Sequence, residues 1–185
     1  MRKLRTEELN RKSVEEFRTM PKLPVAVVLD NIRSGLNVGS IFRTADAFAI
    51  KHIYLCGITA TPPHREILKS AIGATESVTW SHHDSIVECL SGLKREGYEI
   101  IGIEHTSTSR NIQEFDPEPG QPVALVLGNE VEGISDVTLN FLDFCFEIPQ
   151  IGTKHSLNVS VCAGIALWYC FEKLLLARAE RGSKT

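Results

Sequence analysis

The amino-acid sequence predicts an α/β fold with a mostly parallel sheet of about six strands and helices on both faces. Apolar runs of strand length recur along the chain, and stretches with helical periodicity separate them. Such alternation is typical of parallel sheets whose helices cover both faces. With 185 residues, of which 43% are hydrophobic, the chain is long enough for one compact domain with a substantial core.

Short runs rich in valine and isoleucine are predicted to be strands buried on both faces. They are VAVVLDNI (25–32), HIYLCGI (52–58), SVTW (77–80), YEIIGIEH (98–105), PVALVLGN (122–129) and FCFEIP (144–149). Parallel sheets bind ligands outside the carboxyl ends of their strands, so the loops after these runs are the first places to look for a site.

Helical patterns lie between the predicted strands. They are VGSIFRTADAFA, PHREILKSAIG, DSIVECLSGLKRE and SDVTLNFL, and a last helix covers roughly residues 157–178. We therefore expect a charged helical extension at residues 1–22, one main domain at 23–178 and a flexible tail at 179–185.

Charge and composition exclude several classes of protein. The net charge of −3 argues against nonspecific coating of nucleic acid, although the first 22 residues hold seven lysines and arginines against four glutamates. The longest uncharged apolar stretch (156–171) is shorter than the roughly 20 residues that cross a bilayer. The N-terminus has no apolar h-region, so we expect a cytoplasmic protein. The five cysteines form no CxxC pair, and the histidines show no metal spacing, so reduced thiols and no metal are expected.

Three polar loops stand out after the predicted strands. NIRSGLNVGS follows the first strand, GNEVEG the fifth and QIGTKHSLNVS the sixth. The chain has no GxGxxG motif at the first turn and no GxxxxGK[ST] motif, which disfavours dinucleotide-binding and P-loop folds.

Three segments in this order resemble the sequence motifs of the SpoU, or TrmH-type, RNA 2′-O-ribose methyltransferases of the SPOUT superfamily. They are LNVGSIFRTADAF, ALVLGNEVEGIS and IPQIGTKHSLNVSVCAGIALW, and the resemblance spans about residues 24–175. It implies a deep C-terminal trefoil knot, a rare exception among folds. It also implies S-adenosylmethionine as the methyl donor, and a homodimer whose active site uses both subunits.

The resemblance assigns five residues to the catalytic site: Asn37, Arg43, Glu130, Ser156 and Asn158. Arginine keeps its proton, so Arg43 is expected to hold a phosphate and stabilise the alkoxide rather than to act as a base. Without the motifs, Arg43 could form an i,i+3 surface pair with Asp46. Asn37, Ser156 or Asn158 could simply cap a helix, and Glu130 could face water.

The resemblance also assigns five cofactor-binding residues: Gly128, Asn129, Gly133, Ile148 and Leu157. At Gly128 a side chain is expected to block the approach of a ligand to the backbone, whereas Gly133 permits a turn. The main chain at Ile148 and Leu157 is expected to surround the adenosyl group, and packing is the alternative role for both side chains.

The predicted function is methyl transfer to a ribose 2′-hydroxyl of structured RNA, with tRNA favoured over rRNA. The alternative is a noncatalytic RNA-binding or assembly factor that keeps the fold, and methylation of a base or small molecule is less favoured. The five catalytic candidates together favour an enzyme. The last helix, with Trp168, Tyr169, Phe171 and leucines 174–176, is apolar around much of its circumference, which either dimer packing or core burial would explain.

Overall fold

The computed structural model describes residues 1–118 and 120–182, except for the side chains of Thr6, Glu7 and 175–182. This part of the chain contains a seven-stranded parallel sheet. The strands are Leu23–Asp30 (β1), Ile50–Cys56 (β2), Trp80–His83 (β3), Glu99–Ile103 (β4), Arg110–Asn111 (β5), Val123–Leu127 (β6) and Phe144–Glu147 (β7). Their order is β3-β2-β1-β6-β4-β7-β5, and every neighbouring pair is parallel.

Helices connect the strands. They are Val14–Thr19 (α1), Gly35–Ala47 (α2), Arg65–Ala71 (α3), Ala74–Ser77 (α4), Ile86–Arg95 (α5), Asp136–Leu139 (α6) and Val159–Gly182 (α7), with 3-10 turns at Thr6–Leu9 and Ile112–Glu114. No helix among the described residues combines the length and apolar content needed to cross a membrane.

Two apolar layers cover the sheet, which confirms the predicted α/β class. Alternate residues of β1 point to opposite faces: Val27 belongs to the cluster that includes α2 and α7, and Val28 to the cluster that includes α5. Phe42 of α2 is fully buried in the first cluster, where truncation to alanine typically costs about 3–5 kcal/mol. The five cysteines are unpaired, and Cys56, Cys89 and Cys170 are buried.

The third strand differs from its prediction. It was expected at SVTW (77–80), but β3 begins only at Trp80 and runs to His83. Ser77 and Val78 instead complete the turn of α4, where the amide of Val78 donates to the carbonyl of Ala74 at 3.0 Å. Because the backbone of Val78 forms this helical hydrogen bond, the strand begins later than the apolar pattern of the segment predicts. The two-residue β5 is an edge strand, and no apolar run in the sequence predicts it.

At both ends of the chain, the structure gives more detail than the sequence predicts. Within residues 1–22, helix is limited to the six residues of α1 and a 3-10 turn. Helix α7 packs on α2 and β1, which brings the C-terminal segment against the first strand. Strand order and contacts do not trace the threading, so the trefoil knot stays a prediction. Of the tail expected at 179–185, residues 183–185 lie outside the described residues.

Candidate functional site

The loops that follow β1, β6 and β7 meet beside one cavity. Because β1 and β6 are neighbouring parallel strands, their carboxyl ends lie at the same edge of the sheet. The cavity has a volume of about 600 Å³, within the range of small-molecule sites. Its lining includes eight of the sequence-predicted site residues: Gly128, Asn129, Glu130, Gly133, Ile148, Ser156, Leu157 and Asn158.

A chain of hydrogen bonds links the three loops at this cavity. The amide nitrogen Nδ2 of Asn37 donates to Oε1 of Glu130 at 3.0 Å. The side-chain oxygen of Asn37 accepts from Nδ2 of Asn158 at 3.1 Å. Residues about 90 and 120 positions apart in sequence therefore form one polar unit, in which Asn37 bridges the other two.

The carboxylate of Glu130 is held as an anion. Partial burial tends to raise its pKa, but the hydrogen bonds from Asn37 and from the backbone amides of Ser34 and Arg33 outweigh that effect and lower it. The two backbone donors lie 3.2 and 3.3 Å from the carboxylate oxygens. Glu130 thus fastens the loop after β6 to the N-terminus of α2.

Helix capping does not account for Asn37. The N-cap of α2 is Ser34, whose hydroxyl oxygen accepts from the amide of Asn37 at 3.3 Å. Asn158 does cap α7, because its Oδ1 accepts from the amide of Ser160 at 2.9 Å. Its Nδ2 remains directed at Asn37, so Asn158 serves the helix and the polar unit together.

The GNEVEG loop is closed by its own backbone. Asn129 and Gly133 exchange two backbone hydrogen bonds of 2.9 Å, and Gly133 has a left-handed φ of +70°. A Cβ at Gly128 would overlap the backbone of Gly133 and Ile134. The glycine is therefore required by closure of the loop itself, a different reason from the blocked ligand approach expected from sequence.

Asn129 ties this loop to the first one. Its Nδ2 donates to the carbonyl of Asn31 at 2.7 Å, and its Oδ1 accepts from the amide of Val131 at 2.9 Å. Ile148 is half-buried and Leu157 is exposed over 37% of its surface, and both line the cavity. Ser156 is exposed at the same edge. The segment after β7 therefore contributes Ile148, Ser156 and Leu157 to the lining of the cavity.

Arg43 lies elsewhere. It is exposed on the third turn of α2 and lines a different cavity, between α2 and the N-terminal segment. It does not line the 600 Å³ cavity, and it forms no ion pair with Asp46 among the described residues. Of the ten predicted site residues, Arg43 alone is separated from the others in one copy of the chain.

The ionisable lining residues that were not predicted from sequence include Glu104, His105 and Glu147. Oε2 of Glu104 accepts from the amide of Ile134 at 3.1 Å, and Nδ1 of His105 lies 3.3 Å from Oε2 of Glu147. Hydrogen bonds from Ser109 and His105 lower the pKa of Glu147. The available signal was that Glu104 and His105 follow the fourth strand at its carboxyl end.

Comparison with known proteins agrees with this arrangement. The model of the SpoU rRNA methylase family matches residues 24–168. The chain is 28% identical to the 23S rRNA (guanosine-2′-O-)-methyltransferase RlmB of Vibrio parahaemolyticus over 171 residues, which cover 92% of this chain and 68% of that protein. It spans between 41% and 63% of the length of the first curated relatives that it matches.

Solved structures share the fold. The A. aeolicus TrmH/SpoU tRNA modifying enzyme superimposes with a TM-score of 0.76 at 29% identity, covering 91% of this chain and 82% of that one. The AdoMet-bound rRNA methyltransferase from Sinorhizobium meliloti gives 0.77 at 26% identity, covering 85% and 60%. On the extent of the match and the agreement of fold, this chain belongs to the SpoU rRNA methylase family.

Proposed function

We propose that this protein is an RNA 2′-O-ribose methyltransferase that uses S-adenosylmethionine. The observation that carries the proposal is the Glu130–Asn37–Asn158 hydrogen-bond chain, which joins the three motif loops beside a cavity of small-molecule size. A fold without a site at this edge would not need three polar side chains, from three distant segments of the chain, bonded to one another.

The cavity suits S-adenosylmethionine in both shape and charge. Ile103, Leu127 and Ile148 provide apolar wall for a flat heterocycle, and the main chain at Gly128, Ile148 and Leu157 would hold the adenosyl group. Glu104 and Glu147 add acidic side chains to the lining, which favours a ligand that carries a sulfonium and an ammonium. When bound, the cofactor supplies a methyl group activated by the positive sulfur.

The chain's own residues position the ribose. Asn158 and Ser156 bring an amide and a hydroxyl to the lining of the cavity, and Asn37 is joined to Asn158 by a hydrogen bond of 3.1 Å. Glu130 stays ionised and fixes the orientation of the Asn37 amide. Most of the rate enhancement in such a transfer can come from holding the attacking hydroxyl in line with the methyl carbon.

We further propose that the working unit is a homodimer. Val161, Ile165 and Trp168 form an exposed apolar stripe on α7 at helical spacing, and Leu36 of α2 is 44% exposed. A second copy covering this stripe would also lie against α2, the helix that carries Arg43. Arg43 of each copy would then serve the cavity of the other, where it holds a phosphate and stabilises the developing alkoxide.

The substrate we favour is structured tRNA, with rRNA second. The tRNA modifying enzyme from A. aeolicus overlaps this chain over 82% of its own length, more than the rRNA enzymes from V. parahaemolyticus and S. meliloti do at 68% and 60%. Transfer of labelled methyl groups from S-adenosylmethionine to total RNA from a strain lacking the protein tests the proposal. Cofactor binding without any transfer would instead support a noncatalytic RNA-binding factor.

A further inference from the structure

A second cavity, of about 810 Å³, lies between the N-terminal segment and the body of the protein. One wall comes from residues 11–20, one from α2, and one from residues 71–77 where α3 passes into α4. We call it the N-terminal groove. It is separate from the proposed cofactor cavity, since the two share none of the lining residues that the structure describes.

The outer wall of this groove is fixed to the fold. Nε of Arg18 donates to the carbonyl of Glu76 at 2.8 Å, which joins α1 to α4. Phe17 packs against the apolar cluster that includes α2 and α7. The ammonium of Lys22 lies 2.9 Å from the centre of the Phe17 ring. Because these contacts hold residues 17–22, the basic residues just before them are presented at a defined place.

Cations face this groove from two sides. Arg11 and Lys12 line it from the N-terminal segment and Arg43 lines it from α2. Among the described residues, neither Arg11 nor Arg43 has a hydrogen-bond or ion-pair partner, and Lys12 has only an electrostatic interaction with Glu16. These arginines thus have guanidinium groups whose donors are available to a ligand.

The acidic residues of the groove do not cancel this charge. Asp46 accepts a hydrogen bond from the hydroxyl of Ser77, and Glu76 is the other acid among the lining residues that the structure describes. Among the described lining residues, three cations face two acids, which is a positive excess in a chain whose net charge is −3. The groove is therefore a local basic site on an otherwise slightly acidic protein.

We propose that the N-terminal groove binds the phosphodiester backbone of the RNA substrate beside the nucleotide to be methylated. Guanidinium groups match phosphate oxygens, and backbone contacts position a nucleic acid without reading its sequence. Arg43 lines the groove together with Arg11 and Lys12. On the proposed dimer Arg43 serves the cavity of the partner, so a strand held in the groove would continue from Arg43 toward the polar unit of the partner subunit. This inference rests on the proposed function and assigns Arg11 and Lys12 to substrate binding.

RNA affinity of the full chain, measured without methyl transfer, tests the inference. Fluorescent oligouridylate and bulk tRNA are titrated with wild type, Arg11→Glu and Lys12→Glu over a range of salt concentrations. We expect each variant to weaken binding about tenfold on both RNAs and to reduce the slope of log affinity against log salt by about 0.7, the loss of roughly one phosphate contact. Calorimetric affinity for S-adenosylmethionine should not change.

Arg95→Glu on α5 is the matched control, because it makes the same change of charge on an exposed arginine that belongs to neither cavity. Equal RNA affinities for Arg11→Glu and Arg95→Glu would overturn the inference. So would tighter, Arg11-dependent binding of polyglutamate than of RNA, which would indicate an acidic protein partner. If methyl transfer did not depend on Arg11, this inference alone would be overturned. If RNA binding depended on Arg11 but no methyl group were transferred, only the proposed function would be overturned.

Discussion

Glu130 is the residue whose chemistry is most clearly defined by its neighbours. It accepts hydrogen bonds from one side chain and two backbone amides, and these bonds lower its pKa despite partial burial. A carboxylate with this many donors acts as an anchor. Its role in the proposed reaction is to hold Asn37 in one orientation, so its replacement should affect positioning rather than proton transfer.

Glu130→Gln should lower kcat/KM for methyl transfer about tenfold, because an amide removes the charge that strengthens these hydrogen bonds and offers only one acceptor oxygen. Steady-state kinetics with RNA as the varied substrate measure this effect. Glu88→Gln, the same change on the surface of α5, should retain wild-type rates. Unchanged kinetics in Glu130→Gln would remove Glu130 from the account.

The sequence motifs predicted which residues come together more accurately than they predicted the structural role of each one. They predicted Asn37, Glu130 and Asn158 together, and these three side chains do form one hydrogen-bonded unit. The overlap of a Cβ at Gly128 with Gly133 was not predicted, because it depends on a loop closure that no local pattern encodes, and the expected role of Gly128 beside a ligand stays a prediction. Glu104 was missed, since its contact with the amide of Ile134 spans 30 positions of sequence.

At the scale of elements, strands β2 and β3 carry a cluster of histidines. Nε2 of His52 lies 2.9 Å from the hydroxyl of Ser81, which lies 3.0 Å from Nε2 of His83. Burial, followed by the charges of His83 and Lys51, lowers the pKa of His52 to about 4. The folded state therefore holds His52 neutral at pH values where the unfolded chain, with a pKa of about 6.5, is protonated.

This difference predicts acid sensitivity. A histidine with a depressed folded-state pKa stabilises the fold above about pH 6.5 and loses that contribution as the pH falls toward 4. Discounted for partial exposure, wild type should lose about 1 kcal/mol more stability between pH 7 and pH 5 than His52→Gln, which cannot titrate. Urea unfolding at both pH values measures the difference, and parallel losses in the two proteins would contradict the assignment.

The elements themselves were largely predictable. Long apolar runs gave β1, β2, β4, β6 and β7 to within a few residues, because a strand buried on both faces needs such a run. The SVTW segment failed because its first residues are held by α4, and β5 was too short to leave a pattern. N-terminal helix is limited to α1 and one 3-10 turn although charged residues continue on both sides of α1.

At the scale of the whole molecule, we propose that the site is divided between two copies. Arg43 lies outside the cofactor cavity of its own chain. The apolar stripe on α7 is exposed, and α7 packs against α2, the helix that carries Arg43. Core burial and dimer packing were alternatives for this helix. In one chain Leu167, Cys170 and Leu174 are buried while Val161, Ile165 and Trp168 are exposed, so core burial explains one face and dimer packing stays a prediction for the other.

Mixing two inactive variants tests this division. Arg43→Ala and Asn158→Ala should each abolish transfer as homodimers. Co-expressed in equal amounts, they should regain about a quarter of wild-type activity, because half of the dimers are mixed and each mixed dimer has one intact site. If both residues acted within one chain, no intact site could form, and the mixture would stay inactive.

Arg43→Ala should also leave the affinity for S-adenosylmethionine within a few fold of wild type, since Arg43 does not line the cofactor cavity. Isothermal titration with the cofactor alone measures this without RNA. A large loss of cofactor affinity would mean that Arg43 reaches the cofactor itself rather than the substrate, and would move its role from phosphate binding to cofactor binding.

The central claim is transfer to a ribose 2′-hydroxyl, and the position of the methyl group tests it most directly. Total RNA labelled by the purified protein and S-adenosylmethionine is hydrolysed with alkali, which needs a free 2′-hydroxyl to cleave the backbone. We predict that the label remains in alkali-resistant dinucleotides and that Asn158→Ala transfers none. Label released entirely in mononucleotides would place the methyl group on a base and contradict the account.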